Sequence, residues 1–200
     1  MTRALSTIVV LLALASVAQG ATRVTSPPLR YPGDTRSAFC WAPVEQRFPQ
    51  AAMVTVQVTR QLRPRPNPWE VAWVVIGDER RFVAFVPKPN GWELSLFDVA
   101  AWPQQRFLAS GRQPRFPVGD PITVTLIAFE RGVAVVCGEL LVVHGWSAEH
   151  PRPTDAGHAR PTWWGSPARA GVYVEDCTAI VSWERRTHWT ASVPQQGARE

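Results

Sequence analysis

The sequence predicts an all-β protein, an antiparallel sandwich of two packed sheets. Three observations carry that prediction. Val54, Val56 and Val58 alternate with Thr55, Gln57 and Thr59, the period-2 pattern of a strand with one buried face. Short apolar stretches of this kind recur at roughly ten-residue spacing, with Gly or Asn between them. No window has helical periodicity; residues 98–108 come nearest, and Pro103 interrupts them. One open sheet of so many strands would leave an apolar face in water, so two sheets must pack face to face.

The elements follow in order. Residues 1–20 have the form of an export signal: Arg3 gives the positive start, residues 4–17 are apolar, and Ala18-Gln19-Gly20 offers small residues for cleavage. The run falls short of the roughly 20 apolar residues that span a bilayer, and no second such run follows. The expectation is a mature chain that begins at Ala21, is secreted or periplasmic, and has no membrane span once the signal is removed. Residues 21–36, rich in Pro, Ser and Thr, read as a flexible lead-in to a domain over 37–187; residues 188–200 read as a frayed tail.

Inside the domain, VAWVVI (71–76) is apolar on both faces and suits mid-sheet. Gly77-Asp78 breaks that run and RFVAFV (81–86) resumes it. Asn90-Gly91 is a hairpin signal of the type I′ kind. Beyond it Trp92, Leu94 and Leu96 share one face and Glu93 and Ser95 the other. Residues 122–129, 133–136 and 140–143 read as strands parted by Arg131-Gly132 and Cys137-Gly138, and 171–174 and 179–183 close the series.

Composition narrows the function classes. The formal charge is +5, with Lys88 the single lysine, and the arginines are scattered without a basic stripe, which excludes nucleic acid as a partner. Weak attraction to acidic surfaces stays open. Cys40, Cys137 and Cys177 lack metal-site spacing and fit an oxidising compartment, with one disulfide joining Cys177 to Cys137 or Cys40.

NPWEVAWVV (67–75), FVAFVPKPNGWEL (82–94), QRFLASG (105–111), ITVTLIAFERGVAVVCGELL (122–141) and GVYVED (171–176) occur in a telling order. Together they resemble the concanavalin A-like lectin/glucanase superfamily, its laminin-G-like jelly rolls, in a bacterial secreted branch. The resemblance spans residues 45–185 approximately. It implies a two-sheet antiparallel jelly roll whose concave face and rim loops bind glycans, in some members beside calcium.

Candidate residues follow from chemistry. Exposed indoles stack on sugar rings. Trp163 and Trp164, in the Pro- and Gly-rich stretch 149–170, are candidate ligand residues, with edge packing as the alternative. Trp69, beside Pro68 and Glu70, is a candidate at the rim; Trp92 joins them, although its parity with two leucines points to the core, where Trp73 is also expected. Glu175 and Asp176, with Asp98 or Asp78, could supply oxygens to calcium, the one cofactor in view; a solvated turn is the other reading. Retaining glucanases of this fold place their carboxylates on one strand as Glu-x-Asp-x-Glu, a spacing missing here. Glu70 and Glu93 are the remaining candidates for a catalytic pair. The expected function is a monomeric secreted carbohydrate-binding or cell-surface recognition module without catalytic activity, its partner a glycan or cell-envelope polysaccharide. A glycan-directed hydrolase and a structural envelope protein are the alternatives.

Overall fold

The computed structural model describes residues 16–18, 21–25, 37–42, 50–62, 71–101, 104–147, 158–164 and 169–186. Among the described residues there is no helix, and fourteen strands form. In chain order they are β1 (Ser16–Ala18), β2 (Thr22–Thr25), β3 (Ser37–Trp41), β4 (Gln50–Gln61), β5 (Ala72–Gly77), β6 (Arg81–Lys88) and β7 (Gly91–Asp98). β8 (Gln105–Gly111), β9 (Ile122–Phe129), β10 (Gly132–Cys137), β11 (Leu140–Ser147), β12 (His158–Ala159), β13 (Arg169–Glu175) and β14 (Cys177–Arg186) complete the set.

The eight-stranded sheet runs β14–β4–β9–β10–β11–β12, with β1 and β2 pairing along different stretches of β14. The six-stranded sheet runs β3–β13–β5–β6–β7–β8. The predicted antiparallel sandwich is what forms; only the short β11–β12 pairing is parallel.

Alternation builds the interior. Val54, Val56 and Val58 of β4 point inward with Cys177, Ala179 and Val181 of β14. Val74 and Ile76 of β5, with Phe85 of β6 and Leu94 of β7, meet them from the six-stranded sheet. Phe85 and Leu94 are completely buried, each stabilising the fold by about 2–3 kcal/mol.

Local details depart from the sequence reading. The lead-in is not wholly flexible: Thr22–Thr25 pairs with β14, where the Thr25 and Thr178 hydroxyls lie 3.1 Å apart. β-branched residues at alternate positions favour that addition to the sheet. Residues 187–200, which hold the expected tail, lie outside the described residues. The type I′ turn at Asn90-Gly91 does not form. Lys88 pairs with Gly91, so Pro89 and Asn90 make the loop, and neither has positive φ. The glycine is needed for another reason: at φ +141° its absent Cβ would lie 2.1 Å from the Gly111 carbonyl oxygen of β8.

The expected disulfide is also not formed: no pair among Cys40, Cys137 and Cys177 is joined. Cys137 and Cys177 lie in one sheet with β4 and β9 between their strands. Three strand spacings amount to roughly 14 Å, twice the ~7 Å that a disulfide can bridge. Cys40 sits in the other sheet opposite Val172, five positions before Cys177, and its thiol is turned to Trp183.

Gly91→Ala combines a disfavoured φ with a backbone clash. It should cost at least about 2 kcal/mol and lower Tm by roughly 4–8 °C, measurable by circular dichroism melting.

Candidate functional site

β5 and β6 are apolar on both faces, and one face is already taken by the interior. Val71, Trp73, Val75, Phe82, Ala84 and Val86 point the other way and form a second buried cluster on the outer side of the six-stranded sheet. Register explains its shape. Gly171, Val75, Ala84 and Ser95 are cross-strand partners, giving a floor of small residues. Larger rings close over this floor from the neighbouring rows, and Trp41 and Phe107 stand at the two ends of the row itself. Trp41 lies against Gly171, where an added Cβ would come within 2.5 Å of its ring.

Phe39 stacks on Trp41 at 4.9 Å and meets Phe82 edge-on at 5.7 Å. Phe82 stacks on Phe97 at 4.9 Å, and Tyr173 leans on Trp73 at 4.7 Å. A cleft of about 550 Å³ opens between these rings, lined by Phe39, Trp73, Phe82, Phe97, Phe107 and Tyr173. Its polar lining is Glu79, Gln104, Gln105 and Glu175. That volume falls within the range of small-ligand sites.

Two backbone devices aim the polar and outermost groups. In β8 the register slips between Leu94 and Ser95: Ala109 faces Leu94, while Phe107 faces Ser95. Leu108 is thus the extra residue of a bulge, which turns Phe107 and Gln105 onto the cleft side. Phe107 is 55% exposed there. At the β5–β6 turn the Asp78 carboxylate accepts the backbone N–H groups of Arg80 and Arg81 at 2.8 and 2.9 Å. Between them Glu79 reaches the rim and accepts from the Trp41 indole N–H at 3.4 Å. The Arg169 guanidinium covers the Trp41 ring at 4.6 Å. Tyr173 donates its hydroxyl to Glu175 at 3.1 Å.

The residues singled out from sequence are dispersed. Trp164 is only 3% exposed, and its indole N–H donates to the Phe129 carbonyl at 2.8 Å. It packs edge-on to Trp146 and Trp163 and closes the sandwich edge, the alternative that the sequence left open. Trp163 is half-buried in the same group, with the Arg81 guanidinium 6.0 Å above its ring. Trp92 is buried in the interior and donates to the Gln113 carbonyl at 2.8 Å. Trp73 is buried as expected, but on the outer face, within the cleft. Trp69 and Glu70 lie outside the described residues. Glu93 is on the cleft-side face, opposite Val86 and Ser110, and its carboxylate pairs with Lys88.

The calcium set does not assemble. Glu175 sits at the strand end shared with Val71, whereas Asp98 ends β7. The seven residue steps from Gly91 to Asp98 span roughly 24 Å. Asp98 instead caps its own turn by accepting the Ala100 N–H, and Asp176 is buried at a tight bend with φ +47°. Among the described residues no group of three His, Cys, Asp or Glu could hold a metal ion.

The cleft's ring-bearing positions Phe39, Phe82, Phe97, Phe107 and Tyr173 were missed by sequence reasoning. The signal was present in part: if Val74 and Ile76 face the interior, Trp73 and Val75 need cover on the other side.

No family model and no curated protein matches this sequence. Solved structures do match. The carbohydrate-binding module CBM66 from Bacillus subtilis aligns with a TM-score of 0.52 at 11% identity, over 81% of this chain and 91% of that one. The chain folds as a jelly roll. A toad ovary galectin complexed with thio-digalactose aligns at 0.44 and 11% identity, over 73% of this chain and 97% of its own. An alginate lyase of polysaccharide lyase family 7 aligns at 0.42 and 8%, over 82% and 75%. At this identity the likeness to CBM66 is one of fold, a two-sheet jelly-roll β-sandwich.

Trp164→Ala in this jelly roll removes a buried ring and orphans the Phe129 carbonyl. A loss of about 3–5 kcal/mol is expected in urea unfolding.

Proposed function

We propose that this protein is a carbohydrate-binding module whose ligand lies on the outer face of the six-stranded sheet. One observation carries the reading. The solvent side of a sandwich sheet is normally polar, yet here it bears an open cleft walled by six aromatic side chains and edged by carboxylates and amides. Aromatic faces take the C–H surface of a pyranose, and the edge groups take its hydroxyls. The likeness of fold to a module named for carbohydrate binding supports the same reading.

The finer parts of the proposal concern place and chemistry. The module acts outside the cytoplasm, exported through residues 1–20, on a glycan or cell-envelope polysaccharide, and binds without turnover. Glu93 supports binding over hydrolysis, because one carboxylate oxygen pairs with Lys88 and the other is buried away from solvent.

Phe107 is exposed and outside both buried clusters, so Phe107→Ala should leave Tm nearly unchanged. It should weaken glycan binding about tenfold, the loss of roughly 1.4 kcal/mol, as read by isothermal titration after a glycan-array screen. An array without a single hit would sink the proposal. Export makes a separate forecast: N-terminal sequencing of protein recovered outside the cytoplasm should begin at Ala21, and an intact Met1 would refute cleavage.

A further inference from the structure

We infer that the site holds a glycan chain, with the aromatic cleft as one subsite and an adjoining polar basin as a second. The inference rests on the carbohydrate-binding reading. Beside the cleft lies another hollow, of about 850 Å³. Its walls are the β5–β6 turn (residues 78–81), the start of the β7–β8 turn (residues 98–100) and Arg169 of β13. Glu79 lines both hollows, so they adjoin at its side chain. Together they exceed the roughly 1,000 Å³ at which small-ligand pockets end, which suits a chain better than a single sugar.

The junction is held on two sides. Glu79 accepts the Trp41 indole N–H at 3.4 Å, and the Arg169 guanidinium lies over the same ring at 4.6 Å. On the β7–β8 side, Gln104 of the cleft donates to the Val99 carbonyl of the basin at 3.3 Å. The basin itself is preformed. The Val99 N–H donates to the Arg80 carbonyl at 2.9 Å and clamps one turn to the other. Asp78 caps the first turn and pairs with Arg81 at 3.5 Å, while Asp98 caps the second. A surface ordered in advance loses less freedom when it binds.

The two hollows offer different chemistry. Rings in the cleft take the C–H face of one sugar. The basin sets guanidinium donors beside carboxylate acceptors, with Val99, 46% exposed, as an apolar patch between them. A hydroxyl both donates and accepts, so this mosaic fits the hydroxyls of a neighbouring sugar. Each guanidinium carries five N–H donors; Arg81 uses one on Asp78, and Arg80 stands exposed at the rim. Once one sugar is stacked, the next enters the basin as an intramolecular contact, and affinity rises with chain length.

The test titrates wild type, Arg80→Ala and Phe107→Ala with cello-, manno- and galacto-oligosaccharides of one to six units. Calorimetry reads the tighter complexes and NMR the weaker ones. The Arg80 backbone N–H, not its side chain, bonds Asp78, so Arg80→Ala should keep the wild-type Tm. In wild type, affinity for one series should rise at least about tenfold from monosaccharide to tetrasaccharide. Arg80→Ala should remove most of that rise and leave the monosaccharide unaffected, whereas Phe107→Ala should weaken every length. Equal affinity for both lengths, or a rise that survives in Arg80→Ala, would overturn the inference and leave the aromatic cleft as the binding site. If no series shows Phe107-dependent binding at any length, the carbohydrate reading itself fails and takes the inference with it.

Discussion

The six-stranded sheet has two apolar faces, and the opposing sheet can cover only one of them. Everything notable about this molecule follows from that constraint. Val74, Ile76, Val83 and Phe85 are satisfied by the sandwich interior. Val75, Ala84 and Val86 point outward and are just as completely buried. Cover for them comes from aromatic side chains that lie down over the small residues of the middle row. Rings are suited to that task because they bury large areas while presenting an edge or face outward. A surface built this way is rigid, apolar and partly open, which is what a ligand platform requires.

The same constraint explains why the cleft depends on irregular backbone. Strict alternation along β8 would set Arg106 and Leu108 against the outer face and send Gln105 and Phe107 to the other side. The bulge at Leu108 reverses the parity over half the strand while Ala109 stays opposite Leu94. At the far side of the cleft Asp78 fixes the turn that presents Glu79, satisfying two backbone N–H groups that would otherwise face solvent at the strand ends. Bulges and tight turns of this kind commonly border functional surfaces.

Much of the fold was legible in the sequence because alternation and turn residues are local signals. The strands around Val54–Val58, Ala72–Ile76, Phe82–Val86 and Ile122–Phe129 formed where their patterns placed them. The site was legible only in part, because it is assembled by register. Phe39, Phe82 and Tyr173 come from three strands far apart in the chain, and nothing local shows that their rings converge. Tryptophans were a poor guide for a physical reason. Trp92 and Trp164 each carry one N–H donor, and a single backbone carbonyl satisfies it, so such rings can be buried at little polar cost. Phenylalanine, with no polar handle, is the residue that marks the open face at position 107.

That none of the three cysteines is joined in a disulfide also finds its account in packing. Burial pushes the Cys137 thiol up to about 11 and raises that of Cys40, against which a hydrogen bond from Trp183 acts only in part. The thiolate is the species that attacks and is oxidised. At neutral pH its fraction at Cys137 is therefore very small, and Cys177 is wholly enclosed. Strand order keeps Cys137 and Cys177 beyond bridging distance, and burial keeps each from outside reagents, so an oxidising environment is compatible with reduced cysteines. The alternation that makes the sandwich thus sets the redox state of its thiols as well, since Cys137 and Cys177 occupy inward positions that valine fills elsewhere along the same strands.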